Sequence, residues 1–168
     1  MSNYQKAVFL DRDGVINNGN EYYTYTIEKF IINKGVAEGL QLLQEAGFLL
    51  IVITNQSGIA KGLYTIDDVE KVHAYMKELL REKGIEITDI YYCPHHPDVS
   101  TCRCRKPGTE MLERAIKKYN ITTEQSYLIG DSISDIQAAV AMGINAIKIE
   151  KNESIVSYCK KIINNVTV

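Results

Sequence analysis

No strong charge of either sign marks this chain: its formal net charge is −2 over 168 residues. That near balance argues against a nucleic-acid binder, whose footprint is a concentrated positive surface. Nor does any stretch reach the roughly 18–20 apolar residues of a membrane span. The start, Met1-Ser2-Asn3-Tyr4-Gln5-Lys6, leads within a few residues into an apolar segment that includes Asp11. It has neither the long apolar region nor the small-residue cleavage site of a secretory signal. Repeats, low-complexity tracts and linkers are missing too. These absences predict a cytoplasmic globular protein with no nucleic-acid or membrane partner, and a monomer is the default expectation. One domain over residues 1–168 is expected, since domains usually run about 100–200 residues. With 45% hydrophobic residues the chain has material for a core that needs no covalent staple.

Disulfides are not expected either. Of four cysteines, Cys93, Cys102 and Cys104 fall within twelve positions, a clustering that suits metal or redox chemistry better than a framework of bridges. Cys159 stands apart in a helical pattern and reads as a small buried thiol.

What the chain does contain is an alternation of short apolar runs and longer amphipathic stretches. Residues 7–10, 48–53, 89–92, 127–129 and 146–149 read as strands. Helices are expected over 35–46, from an N-cap at Thr65 to Gly84, from Pro107 in a first turn to Tyr119, and over 133–142. Strands separated by helices imply right-handed β-α-β units. The fold class is therefore α/β, a Rossmann-like parallel sheet flanked by helices. In such sheets chemistry gathers at the carboxyl ends of the strands.

The polar clusters sit at those ends. The first strand runs into Asp11-Arg12-Asp13-Gly14, and residues i and i+2 of an extended segment point the same way, so two carboxylates project together. Alone, such a pair is ordinary turn chemistry. The second strand ends in Thr54-Asn55-Gln56-Ser57-Gly58, which offers a hydroxyl and two amides. The fourth ends in Gly130-Asp131, with Asp135 one helical turn on. Arg105 and Lys106 stand before a helix, where cations are unfavourable unless an anion is present. The acidic cluster Asp11, Asp13 and Asp131, with Asp135 near, suits Mg2+. Thr54 and Lys106, a lysine expected on a buried strand, would hold phosphoryl oxygens.

A second constellation is Cys93-Pro94-His95-His96-Pro97 followed by Cys102-Arg103-Cys104. Three thiolates and an imidazole can close a tetrahedral structural Zn2+ site over residues 93–104. His95 matches the C-x-C half-site better; His96 could replace it. Four protein ligands leave no open position, so this zinc would shape the loop and not react.

Asp11-x-Asp13-Gly14, Thr54-Asn55, Lys106-Pro107 and Gly130-Asp131-x-x-x-Asp135 together resemble the four motifs of the haloacid dehalogenase-like phosphatase superfamily, in order, over residues 7 to about 149. The resemblance implies that Asp11 is the nucleophile and forms an aspartyl-phosphate. It implies that Asp13 is the general acid/base and that Thr54 and Lys106 bind the phosphoryl group. Asp11, the Asp13 carbonyl and Asp131 would ligate Mg2+, with Asp135 supporting them. Between Asp13 and Thr54 lie 40 residues, and 13 between Tyr92 and Lys106, which leaves no room for the superfamily's usual cap domain.

The segments Asn55–Gly62, Tyr91–Pro97 and Cys104–Pro107 further resemble the D-glycero-D-manno-heptose 1,7-bisphosphate 7-phosphatase family, which acts in nucleotide-activated heptose biosynthesis. By that resemblance Asn55, Gln56, Ser57, Lys61 and Arg105 contact a phosphorylated sugar. That family commonly has Arg at the position of Lys61, and the zinc loop here is short, nearer in length to the related histidinol-phosphate phosphatases. The cations Lys61, Arg103 and Arg105, beyond Lys106, suit a second phosphate. Two alternatives are a histidinol-phosphate phosphatase and a non-enzymatic zinc-binding module. A receiver domain would need a carboxylate after the third strand, where Tyr92-Cys93 stands.

Overall fold

The computed structural model describes residues 3–164. Five strands form one parallel sheet in the order β3-β2-β1-β4-β5: β1 Ala7–Leu10, β2 Leu49–Asn55, β3 Asp89–Cys93, β4 Tyr127–Gly130 and β5 Asn145–Lys148. β1 is central, with Phe9 in register with Ile51 of β2 and Leu128 of β4. All four of its residues are wholly buried. A strand covered on both faces needs a continuous apolar run, and Ala7-Val8-Phe9-Leu10 is one.

Successive side chains point to opposite faces, and this sorts the helices. Val8, Leu10, Leu50 and Val52 pack under α1 (Val36–Glu45), α2 (Ile66–Arg81) and α5 (Val156–Ile163), through Leu40, Leu43, Met76, Leu80 and Ile162. Ala7, Phe9, Ile51 and Ile53 pack under α3 (Glu110–Tyr119) and α4 (Ile133–Ala141), through Met111, Leu112, Ala115, Ala138 and Ala139. Each large aliphatic side chain buried in these layers contributes about 1.5–3 kcal/mol relative to exposure. α2 starts where its capping box closes: the Thr65 hydroxyl accepts from the Asp68 N–H at 3.1 Å, and the Asp68 carboxylate accepts from the Thr65 N–H at 2.9 Å.

From β1 the chain winds to β2 and β3 on one side, then returns to β4 on the other side of β1. The order therefore reverses at β1, and a crevice opens at the carboxyl ends of β2, β1 and β4. Among the described residues, the segments 14–35 and 94–109 hold no helix or strand.

Several expected boundaries move: β2 runs on to Asn55, and α2 ends at Arg81, short of Gly84. α3 begins at Glu110, not at Pro107. The Lys106–Pro107 peptide is cis, and the Gly108 N–H donates to the Arg105 carbonyl at 2.6 Å. This turn closes against the Arg103 carbonyl, where a Cβ on Gly108 would not fit. Arg105 and Lys106 thus lie in a loop ahead of the helix. They are not in its first turn, and Lys106 is not in a strand.

Candidate active site and thiol cluster

Asp11 follows β1 directly. Its Oδ1 accepts from the Arg12 N–H at 2.8 Å and from Lys106 Nζ at 3.0 Å. Lys106 is held at both ends. Its N–H donates to Asn55 Oδ1 at 3.0 Å, and its buried ammonium donates to the Ile53 carbonyl at 3.0 Å and to Asp135 Oδ1 at 2.5 Å. Burial disfavours that charge, but Asp11 and Asp135 overcome it and hold Lys106 protonated, above the ordinary lysine range. Asp135, fully buried in the first turn of α4, caps that helix by accepting from the Ser132 N–H at 3.2 Å and the Ser132 hydroxyl at 2.9 Å. Gly130 lies flush against it, and a Cβ there would overlap the Asp135 side chain.

Asp131 closes the cluster. Gly14, at φ 88°, lies in the left-handed region that disfavours a side chain, and a Cβ there would also press on the Asp131 carboxylate. Oxygens of Asp11, Asp131 and Asp135 lie within 4.8 Å of one another. Burial pushes the Asp11 carboxyl well above its usual range; Lys106 opposes the shift, and the neighbouring carboxylates add to it. One lysine faces three acids. Oxygen donors with surplus negative charge fit a hard divalent cation such as Mg2+.

The second carboxylate of the pair has different surroundings. Asp13 Oδ1 accepts from Arg12 Nε at 3.1 Å, Arg12 Nη2 at 2.7 Å and Asn17 Nδ2 at 3.0 Å, while Oδ2 accepts from Gln56 Nε2 at 3.1 Å. Arg12 is wholly buried and also donates to the Thr24 carbonyl at 2.6 Å. Its Nη1 lies 3.2 Å from His73 Nε2. Burial and the Arg12 charge push the His73 imidazolium down to about 3, so the ring is neutral and accepts at Nε2. Neither Arg12 nor His73 was expected from sequence. The available signal was a histidine on the apolar face of α2, four residues after Val69 and three before Met76.

Gln56 is fully engaged: Nε2 also donates to Thr54 Oγ1 at 2.9 Å, and Oε1 accepts from the Tyr64 hydroxyl at 2.9 Å. The buried Thr54 hydroxyl has only a 3.5 Å contact of its own, to the Asn55 carbonyl. Asp11, Asp13, Thr54, Ser57, Arg105 and Lys106 share a cavity of about 200 Å3 with Tyr22 and Tyr23, two further residues that sequence reasoning missed. Arg105 Nη1 is buried there without a partner. A second cavity of about 280 Å3 shares Arg105 and Lys106 and is walled by Pro97, Thr101 and Cys102. Lys61 is exposed and lines neither cavity. Arg103 is 80% exposed and faces Glu113 at 3.7 Å.

A larger groove of about 840 Å3 runs along β3, away from this chemistry. Its acid, Asp89, is already paired with Lys118 at 3.0 Å.

Cys93, His95, Cys102 and Cys104 bring four ligand atoms within 4.8 Å of one another. Cys93 Sγ lies 2.8 Å from Cys104 Sγ and 3.5 Å from Cys102 Sγ, and His95 Nδ1 lies 3.2 Å from Cys104 Sγ. Three sulfurs and one nitrogen converging on a point form a donor set that fits Zn2+. His96 is turned away, its Nδ1 accepting from the Asp98 N–H at 3.0 Å. Cys159 belongs to the core beneath α5, where burial pushes its thiol up to about 12.

No helix among the described residues is long and apolar enough to cross a membrane. The model of the HAD-hydrolase-like family matches residues 103–161. A D-glycero-beta-D-manno-heptose-1,7-bisphosphate 7-phosphatase from Yersinia pestis is 42% identical over 144 residues, covering 82% of this chain and 76% of its own. A D-glycero-alpha-D-manno-heptose-1,7-bisphosphate 7-phosphatase from Photorhabdus laumondii is 42% identical over 145 residues, covering 83% and 79%. The crystal structure of a D,D-heptose 1,7-bisphosphate phosphatase from B. bronchiseptica, complexed with magnesium and phosphate, superposes with a TM-score of 0.83 at 25% identity, over 96% of this chain and 100% of that one. With the four motifs converging at one crevice and relatives of this identity spanning most of its length, the chain belongs to the heptose-1,7-bisphosphate 7-phosphatase family of haloacid dehalogenase-like hydrolases.

Proposed function

We propose that the chain hydrolyses the C7 phosphate of D-glycero-D-manno-heptose 1,7-bisphosphate through an aspartyl-phosphate on Asp11. The observation that carries this reading is the Asp11–Lys106–Asp135 clamp, placed beside Asp13 in one cavity. Lys106, fixed by Asn55 and Asp135, aims Asp11 and meets a phosphoryl oxygen. The Thr54 hydroxyl, lacking a good acceptor, donates to a second one. An Asp11 carboxylate oxygen attacks phosphorus, and the ester oxygen leaves with a proton from Asp13. Asp13 then takes a proton from water as that water attacks the acyl phosphate, which frees Asp11 and inorganic phosphate. Gln56, Asn17 and Arg12 hold the Asp13 carboxyl in place for both transfers.

Asp11, Asp131 and the Asp13 carbonyl would hold Mg2+, which when bound supplies positive charge against repulsion between Asp11 and the phosphoryl oxygens. Cys93, His95, Cys102 and Cys104 would hold Zn2+, which when bound would fix the wall that carries Arg105. The unpartnered Arg105 Nη1 would meet the second phosphate. The reading puts the enzyme in the cytoplasm, where thiols stay reduced. Because the relatives are named for both anomers, the proposal concerns the C7 ester.

Assaying heptose 1,7-bisphosphate, other sugar bisphosphates and histidinol phosphate at saturating Mg2+ tests the substrate. The highest kcat/KM is expected for the heptose bisphosphate. A preference for histidinol phosphate would overturn the substrate and leave the phosphatase chemistry standing.

A further inference from the structure

One wall of the catalytic cavity has no part in the chemistry above. It is built by Tyr22 and Tyr23, from the segment between β1 and α1. The Tyr23 hydroxyl is buried and, among the described residues, has no hydrogen-bond partner. Of the residues that line this cavity, only Tyr23 and Arg105 are described with such an orphaned atom. A buried hydroxyl without a partner is unfavourable, and native structures keep few of them.

The ring is firmly placed. It packs edge-on against Tyr64 at 5.7 Å and against Tyr22 at 4.6 Å between centroids. Tyr64 is itself tied by its hydroxyl to Gln56 at 2.9 Å, and Gln56 to Asp13 at 3.1 Å. Tyr23 therefore stands on the Asp13 side of the cavity. In the proposed reaction Asp13 reaches the ester oxygen, so a group further along the same wall meets atoms of the leaving group beyond that oxygen.

We infer that Tyr23 contacts substrate and sets specificity. Its hydroxyl pairs with a hydroxyl of the leaving group. The substrate class is then a primary phosphate of a polyol, not a simple alkyl phosphate. This rests on the phosphatase reading but not on which sugar is the true substrate.

Tyr23→Phe removes one oxygen and keeps the ring contacts. Wild type and variant, with folding checked by circular dichroism, are assayed on the polyol phosphate that the wild type turns over fastest and on hexyl phosphate. Hexyl phosphate needs the same leaving-group proton and has no hydroxyl. The variant is expected to lose about tenfold in kcat/KM on the polyol ester and less than twofold on the alkyl ester. Equal losses on both would show Tyr23 acting through Asp13 or through packing, and would overturn the inference. So would unchanged rates on both. If the fastest polyol ester is not a heptose bisphosphate, the substrate proposal falls while the Tyr23 comparison is still decided.

Discussion

Replacing His73 with glutamine probes the buried scaffold behind Asp13. His73 is 4% exposed and lies 3.2 Å from the Arg12 guanidinium that bonds Asp13. Its folded-state pKa is lowered to about 3 by burial and by Arg12, against about 6.5 in the unfolded chain. Between those values the unfolded state binds a proton that the folded state refuses. Stability therefore falls as pH falls through that window, at up to about 1.4 kcal/mol per pH unit. Integrated from pH 7 to pH 5, His73 alone removes about 2 kcal/mol. Glutamine keeps an acceptor for Arg12 and has no proton to gain. His73→Gln should thus lose about 2 kcal/mol less than wild type over the same interval. Urea unfolding of zinc-loaded protein at pH 7, 6 and 5 measures this, because contributions from other groups cancel in the double difference. Equal pH dependence in the two proteins would refute the reasoning. So would a His73 ring signal that titrates near 6.5 by NMR.

Asp11→Asn should retain its fold and fall below about 1% of the wild-type rate, measured promptly to exclude deamidation, because an amide does not attack phosphorus. Metal analysis of protein purified without chelator should find about one zinc per chain, with Cys102→Ser lowering that content and the Tm while Mg2+ is still required for turnover. Arg105→Ala should cost about 10- to 100-fold in kcat/KM on the bisphosphate, as expected for a lost charge-assisted hydrogen bond, whereas the exposed Lys61→Ala should cost less than about threefold. Equal losses at the two positions would mean that the cations act only through their long-range field.

The centre of the sheet was legible because its strands write their burial into sequence. Ala7–Leu10 and Leu50–Ile53 are apolar without interruption, as strands covered on both faces must be. The convergence of Cys93, His95, Cys102 and Cys104 was legible because thiols and imidazole in one short loop have few uses other than holding a metal. Pro107 misled for a physical reason: proline suits a first helical turn, but here it serves a turn that closes on Gly108, and α3 waits until Glu110. Lys61 was read as a substrate cation from family resemblance and charge, Arg103 from charge. Charge carries no direction, and both side chains lie outside the cavities. Tyr22 and Tyr23 were invisible because the segment 14–35 has no periodicity to say which side it shows the strand ends.

The i, i+2 spacing of Asp11 and Asp13 predicted two carboxylates on one side, and the cavity does hold both. What spacing does not convey is how differently they are held. Asp11 shares a lysine with Asp135 and is crowded by acids, an arrangement completed by a cation and suited to a nucleophile that must stay close to phosphorus. Asp13 is gripped by three neutral or cationic partners from three places in the chain: Arg12 beside it, Asn17 in the following turn and Gln56 past β2. Arg12 in turn is fixed by His73 from α2 and the Thr24 carbonyl. The proposed nucleophile is thus positioned by the end of β1, the Lys106 loop and the first turn of α4. The proposed acid/base group is positioned through the Gln56–Tyr64 pair as well. Substitutions at Lys106 or Asp135 should therefore depress turnover of every ester alike, while substitutions at Gln56 or Tyr64 should separate one leaving group from another. A panel of esters with leaving groups of graded basicity would distinguish the two sets, and a uniform loss at Gln56 would refute the division.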